Sequence, residues 1–199
     1  FWCIGDRGWC SPGGNLGNIS ALGKGFLMLK DMGLISKLPR LVCAQSQNAN
    51  PLYQSYLNNF ETFEPVLAKT TLANAIQIGD PVSVNKAIKI LKEFDGIVEQ
   101  ASEEELASAS ARVDLTGTFN CPHTGVAITA FEKLVNNKVI KKTDKVVVIS
   151  TAHGLKFVDF KINYHLEKLS EISNKFSNHP IEVEASTDKV MQILDSKVL

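Results

Sequence analysis

Residues 11–20, "SPGGNLGNIS", run directly into residues 21–35, "ALGKGFLMLKDMGLI", and these two segments decide the fold. Apolar residues recur every three or four positions from Leu16 to Met32, which predicts a helix with one buried face. A glycine-rich turn at a helix start aims unpaired N–H groups at one point, with the positive end of the helix dipole behind them. The pattern therefore predicts a phosphate-binding loop, with an ordinary glycine turn as the alternative.

Two common nucleotide-binding motifs do not fit this loop. Gly13, Gly14 and Gly17 do not have the G-x-G-x-x-G spacing of dinucleotide-binding folds. The P-loop is also excluded, because no Gly-Lys-Ser/Thr follows. We therefore expect the loop to hold some other phosphate.

Composition favours a small-molecule partner. The chain has 199 residues, 44% of them hydrophobic, and its 21 basic residues balance its 21 acidic ones. A net charge of zero gives no attraction to nucleic acid or to an anionic membrane. The longest apolar runs are far shorter than the roughly 20 residues that span a bilayer, so we expect no membrane segment.

Compact apolar runs alternate with helical patterns along the chain. The runs predict buried strands at 39–45, 96–102 and 144–150. Helical spacing or helix-start residues predict helices at 51–60, 83–94, from 102, and from about His123. This order predicts an α/β layered fold with a largely parallel sheet, in which ligands bind at the carboxyl ends of the strands.

Two loops at that edge carry a hydroxyl and an imidazole beside a glycine: "CPHTG" at 121–125 and "STAHG" at 150–154. Thr151 directly follows a predicted strand, so its hydroxyl is well placed to hydrogen-bond a ring nitrogen. For His123 and His153, contact with the ligand and a purely structural role stay equally open. We expect two further histidines to lie on the surface: His165 and His179.

The cysteines do not form a metal-binding pattern. They are scattered, with no C-x-x-C pair and no histidine at ligand spacing. The sequence therefore predicts no metal site and reduced thiols at Cys3, Cys10, Cys43 and Cys121.

Five motifs, in this order, resemble plant-type threonine synthase: "PGGNLGNISA" (12–21), "RLVCAQSQNANPLY" (40–53), "AIQIGDPVS" (75–83), "CPHTGVA" (121–127) and "VVVISTAHGLKF" (146–157). The resemblance implies a pyridoxal-phosphate enzyme of the tryptophan synthase β fold type, also called fold type II, with a three-layer parallel-sheet domain. It also implies the conversion of O-phospho-L-homoserine and water to L-threonine and phosphate in threonine biosynthesis. Expectations that follow are a homodimer, S-adenosylmethionine as activator, and a chloroplast location.

The resemblance also implies roles for six residues at the cofactor pyridoxal 5'-phosphate. Five of them would form the loop around its phosphate: Gly14, Asn15, Leu16, Gly17 and Asn18. Thr151 would hydrogen-bond the pyridine nitrogen. A neutral hydroxyl in this place does not hold the ring nitrogen protonated, which tempers the electron sink that the chemistry uses.

One departure from the family concerns the Schiff-base lysine. In the family it lies well upstream of the phosphate loop, in a segment that these residues do not contain, and Lys156 does not match it. We therefore expect this chain to carry no catalytic residue of its own and to be inactive alone.

The first eleven residues are a second departure. A strand should lead into "PGGN", but Asp6 and Arg7 interrupt "FWCIGDRGWCS". Two explanations stay open, and we favour the first: residues 1–11 are an atypical leader that is not native to the fold, or a divergent strand begins there. Residues 12–160 would then be the carboxyl-terminal half of the cofactor domain, and 161–199 an extension packed on it.

Two other functions remain as alternatives. One is a related pyridoxal-phosphate enzyme, a threonine or serine dehydratase, which shares the glycine-rich loop but fits "IQIGDPVS" and "CPHTGVA" less well. The other is a non-catalytic binding module that keeps the loop and has lost the chemistry.

Overall fold

A computed structural model describes residues 7–198, and its centre is a four-stranded parallel sheet. The strands, in chain order, are β1 (Arg7–Pro12), β2 (Arg40–Ser46), β3 (Ile97–Ala101) and β4 (Lys145–Val148). Their order across the sheet is β3-β2-β1-β4, and every pairing is parallel. The predicted parallel α/β sheet is confirmed.

Within residues 7–198, seven α-helices accompany the sheet. They are α1 (Gly17–Asp31), α2 (Pro51–Leu57), α3 (Val84–Glu93), α4 (Glu103–Asp114), α5 (Pro122–Asn136), α6 (Val158–His165) and α7 (Thr187–Val198). Two short 3-10 helices lie at Asn74–Ile76 and Gly154–Phe157. The long predicted helices are confirmed, and Gly33 after α1 has the positive φ of +69° that ends many helices.

Helices cover both faces of the sheet, and alternate side chains of β2 pack against the helices on opposite sides. Val42 and Ala44 belong to a core with residues of α4, α5 and α6. Leu41 and Cys43 belong to a second core with residues of α1, α2 and α3. A strand buried on both faces reads as a continuous apolar run, as this one does. The architecture therefore has three layers.

The segment before the glycine loop is a strand. β1 begins at Arg7 and pairs with β2 on one side and β4 on the other, so it lies inside the sheet. The described part of residues 1–11 therefore contains a strand, in the place where the loop needs one. The first six residues lie outside the described residues, and the origin of this segment stays a prediction.

The strand β4 is less buried than its apolar sequence predicts. Its side chains alternate between exposed and half-buried. The reason is its place in the sheet, since β4 pairs only with β1 in the described part of the chain and lies at the edge.

A buried ion pair ties α6 to α4. Lys161 is 3% exposed, and its Nζ lies 2.6 Å from Asp114 Oδ2. His165 Nε2 lies 3.6 Å from the same carboxylate, with a side chain only 12% exposed. The prediction that His165 lies on the surface is therefore wrong, whereas His179 is exposed as predicted. The proposed division at residue 160 falls inside α6 and stays a prediction.

Two further observations concern residues 7–198. None of the helices in this range is long and apolar enough to cross a membrane. The same range holds no group of three or more His, Cys, Asp or Glu side chains that could bind a metal ion. Cys10, Cys43 and Cys121 are free thiols, and Cys3 lies outside the range.

Candidate functional site

The glycine loop connects β1 to α1 at the carboxyl edge of the sheet. The N–H of Gly13 donates to the carbonyl of Ala44 at 2.7 Å, which continues the pairing with β2 into the loop. An added Cβ at Gly13 would lie 2.4 Å from Cys43 Sγ, so only glycine fits this close approach. Leu16 then turns the chain with a left-handed φ of 63° and buries its side chain.

This turn leaves main-chain donors without partners. Over residues 7–198, no hydrogen bond is donated by the N–H groups from Gly14 to Asn18. The start of α1 also has no side-chain cap and no acidic residue in its first turn. The glycine turn predicts free N–H groups at a positive helix end, and these are present at residues 14–18. We call this group of N–H donors the cradle.

The six residues that the resemblance implies lie around one cavity of about 420 Å³. Gly14, Asn15, Leu16, Gly17 and Asn18 form one side of its wall, and Thr151 follows β4 on another part of it. Leu16 contributes main chain, because its side chain is 2% exposed within the core. The structure thus brings the predicted loop and the predicted hydroxyl to one place, and their binding roles stay predictions.

The residues present fit a phosphorylated pyridine. The described lining contains no Asp or Glu, and its one lysine is Lys156. An added Cβ at Gly17 would meet nothing within 4 Å, so the main chain there is open to a close ligand. Free N–H groups bind phosphate oxygens, and a threonine hydroxyl can serve a ring nitrogen.

A cluster of hydroxyls and a thiol holds the Thr151 turn against the start of α5. The N–H of Thr151 donates to Thr124 Oγ1 at 3.3 Å, and Thr124 Oγ1 lies 3.3 Å from Ser150 Oγ. Cys121, the residue before α5, has its Sγ 3.2 Å from Thr124 Oγ1 and 3.7 Å from Thr151 Oγ1. The predicted "CPHTG" and "STAHG" loops are therefore in contact.

Cys121 has an unusual environment for a buried thiol. Burial opposes its ionisation, but the polar groups of His123, Thr124 and Thr151 beside the sulfur outweigh burial and lower the pKa of the thiol to about 6. By contrast, burial raises the pKa of Cys43 to about 12. Sequence reasoning missed that Cys121 is the N-cap residue of α5. The available signal was its place directly before Pro122, a typical first helical residue.

The two histidines of these loops have different positions. His123 is 4% exposed and lies in the wall of the cavity, where its Nε2 accepts the N–H of Ala75 at 3.0 Å. His153 is exposed and outside the described lining, and its Nδ1 accepts the N–H of Leu155 at 3.2 Å. Both imidazoles make structural hydrogen bonds, and only His123 lies at the cavity.

Sequence reasoning also missed part of the cavity wall. Ala75, Ile76 and Ile78 come from a stretch without helical or strand periodicity, and Phe157 comes from the turn after Thr151. The motif "AIQIGDP" was visible in the sequence, but no periodicity indicated that it packs against the glycine loop. An added Cβ at Gly14 would lie 3.1 Å from Ile76 Cα, which shows how close the two segments are.

Comparison with known proteins places this geometry in a family. Residues 7–152 match the family model described as pyridoxal-phosphate dependent enzyme. The chain is 55% identical to threonine synthase 2, chloroplastic, of Arabidopsis thaliana over 184 residues, which are 92% of this chain and 36% of that protein. It is 31% identical to threonine synthase of Methanocaldococcus jannaschii over 97% of this chain and 45% of that protein.

Solved structures show the same fold. Threonine synthase from Escherichia coli superimposes with a TM-score of 0.62 at 17% identity, covering 96% of this chain and 44% of that one. The processed form of threonine deaminase isoform 2 from Solanum lycopersicum superimposes with a TM-score of 0.59 at 16% identity, covering 83% of this chain and 43% of that one. The chain therefore spans less than half of the length of each of these relatives.

Proposed function

Because this chain belongs to the family of pyridoxal-phosphate dependent enzymes, we propose that it supplies the phosphate cradle and ring contact of a threonine synthase. One observation carries the proposal: the free N–H groups of 14–18 and the Thr151 hydroxyl line one cavity without a carboxylate in its described lining. The fold that the resemblance implied, a fold type II domain, agrees with the solved neighbours.

Each element of the site has a physical task in this proposal. The N–H groups at the start of α1 bind the cofactor phosphate and neutralise part of its charge. Thr151, held by Thr124, fixes the orientation of the pyridine ring. The buried wall around His123 excludes water from one side of the ring. Pyridoxal phosphate, when bound, supplies the electron sink for elimination and replacement at the substrate carbons.

The proposed reaction is the conversion of O-phospho-L-homoserine and water to L-threonine and phosphate. Identity of 55% to a plant threonine synthase favours this reaction over the dehydratase alternative. A homodimer, activation by S-adenosylmethionine and a chloroplast location are proposed with it for the longer protein, from the resemblance and from the chloroplastic relative.

The chain alone is proposed to be inactive. No lysine in it matches the Schiff-base lysine of the family, and Lys156, although it lines the cavity, lies in the 3-10 helix after Thr151. Without that amine, the proton transfers of the reaction have no carrier. Turnover of O-phosphohomoserine by the purified chain would refute this part.

Binding tests the cradle separately from catalysis. Pyridoxine 5'-phosphate has the ring and the phosphate but no aldehyde, so it needs no Schiff-base lysine. We expect calorimetry to show that it binds the chain at least about tenfold more tightly than pyridoxine, a difference of about 1.4 kcal/mol. Equal affinity for the two compounds would contradict the proposed cradle.

A further inference from the structure

Residues 70–78, which we call the wall segment, contact the glycine loop at the cavity. The segment contains the short 3-10 helix Asn74–Ile76 and pairs with no strand. Three of its residues line the cavity, and an added Cβ at Gly14 would lie 3.1 Å from Ile76 Cα. The position of this irregular segment therefore sets the width of the cavity beside the cradle.

Side chains from two helix starts hold the wall segment in place. Buried main-chain N–H groups need acceptors, and an irregular segment must find them outside a helix or strand. The N–H of Leu72 donates to Glu103 Oε2 at 2.7 Å, and the N–H of Ala75 donates to His123 Nε2 at 3.0 Å. The wall segment is therefore tied to the start of α4 and to the start of α5.

The Glu103 carboxylate also ties the wall segment to the end of β2. Ser46, the last residue of β2, donates its hydroxyl to Glu103 Oε1 at 3.1 Å, and Ser46 Oγ lies 3.0 Å from Thr71 Oγ1. Ser46 is 0% exposed and Thr71 is 5% exposed, so these contacts are shielded from water. Glu103, which lies outside the described lining of the cavity, thus connects β2, α4 and the wall segment.

The neighbouring Glu104 makes a similar contact to another part of the chain. Its Oε2 accepts the N–H of Ser173, in the segment after α6, at 2.7 Å. Both glutamates lie half-buried in the first turn of α4, and each accepts one main-chain N–H at the same distance. Of the two, Glu103 is the one that holds a segment lining the cavity.

We propose that Glu103 is a positioning residue that holds the wall segment against the glycine loop and so sets the space left for a ligand phosphate. The inference rests on the proposed function, since the ligand is the cofactor. A carboxylate repels a phosphate, so Coulomb's law alone predicts tighter binding once Glu103 is neutralised. Positioning predicts the opposite result, because the wall segment loses an anchor.

Calorimetry with pyridoxine 5'-phosphate separates these two effects. We expect Glu103→Ala to bind about fivefold more weakly than the unchanged chain, which is the size of effect that one hydrogen bond gives. Glu103→Gln should lose less, because its amide oxygen can still accept the N–H of Leu72. The matched control is Glu104→Ala, which removes the same charge from the same helix turn and should bind normally. Each affinity is measured well below the unfolding transition of the variant.

The outcomes distinguish the inference from the proposed function. Unchanged or tighter binding in Glu103→Ala overturns the role of Glu103 and leaves the cradle intact. Equal weakening in Glu103→Ala and Glu104→Ala overturns it too, since the effect would then not depend on the wall segment. An unchanged chain that does not bind the compound overturns the proposed function, and this inference with it. Should Glu103→Ala not fold, equal affinities of Glu103→Gln and Glu104→Gln contradict the inference.

Discussion

Helices α1 and α4 begin in opposite ways, although both follow parallel strands at the same edge of the sheet. At α4, the Ser102 side chain accepts the N–H of Glu105, and the Glu105 carboxylate accepts the N–H of Ser102. Three glutamates occupy the first turn of α4, at residues 103–105. At α1, no side chain caps the helix and the first turn carries no acidic residue.

The difference shows which helix start can bind an anion. A capping box uses the free N–H groups, and the glutamates offset the positive helix end. The start of α4 is therefore complete within the chain, whereas the start of α1 keeps donors and positive potential for a ligand. Substitutions at the two helix starts test this contrast.

Gly14→Ala should damage the cradle most. The new Cβ would lie 3.1 Å from Ile76 Cα, so the loop must move away from the wall that it contacts. We expect the affinity for pyridoxine 5'-phosphate to fall about thirtyfold, or by about 2 kcal/mol. Gly8→Ala in β1 is the matched control, since its Cβ would meet side-chain atoms only at 3.9 Å. Equal calorimetric affinities for the two variants would contradict the prediction.

Gly17→Ala should weaken binding without weakening the fold. Its Cβ would meet no protein atom within 4 Å, but it would occupy space where the main chain lines the cavity. We expect about tenfold weaker binding of pyridoxine 5'-phosphate. Gly25→Ala lies in the same helix, also without a neighbour within 4 Å. It should bind normally, and both variants should unfold at or above the denaturant concentration of the unchanged chain.

Much of the fold could be predicted from the sequence because it depends on local patterns. The buried run of β2, the capping box of α4 and the helical spacing of α1 each follow from residues that are near neighbours in the chain. Predictions were weaker where burial depends on distant partners. The apolar sequence of β4 predicts burial, yet its edge position in the sheet decides its exposure.

The candidate site likewise has parts that local sequence patterns predict and parts that depend on distant contacts. The glycine loop was predictable, because a glycine turn before a helix has a known physical consequence. The contact between Cys121 and Thr151 was not, since these residues are 30 positions apart and meet only through the packing of α5 beside β4. The polar segment around His165 predicts a surface position, but the partly buried Asp114 that His165 faces is distant in sequence.

Ser102→Ala should affect stability and leave binding unchanged. It removes the hydroxyl that caps α4, and such a loss costs about 1 kcal/mol of unfolding free energy. Ser83→Ala is the control, because Ser83 occupies the same position before α3 but makes no side-chain cap bond. Denaturant unfolding should show a clearly smaller loss for Ser83→Ala. The comparison of helix starts is wrong if Ser102→Ala weakens phosphate binding.

The smallest expected effect is the acid sensitivity of the α4 cap. Burial raises the pKa of Glu105, but hydrogen bonds with Lys133 and Ser102 outweigh it, so the net pKa is lowered. A lowered carboxylate pKa stabilises the fold above the unfolded pKa, and this contribution is lost as the pH falls through the folded pKa. Because the side chain is 39% exposed, we expect only a few tenths of a kcal/mol.

Glu105→Gln isolates this contribution, because glutamine keeps the capping box without the charge. Its stability should be below that of the unchanged chain at about pH 7, and the difference should vanish at about pH 3. A difference that grows with acidity, measured by denaturant unfolding, would contradict the assignment.

The amide NMR spectrum of the chain reports on both helix starts at once, so it tests whether only the start of α1 binds phosphate. When pyridoxine 5'-phosphate is added, we expect shifts at the main-chain N–H groups of Gly14 to Asn18, with no change at Glu103 to Glu105. Pyridoxine without phosphate should leave the α1 signals in place. Shifts at the start of α4, or none at the glycine loop, would contradict the claim that α1 begins with a phosphate cradle.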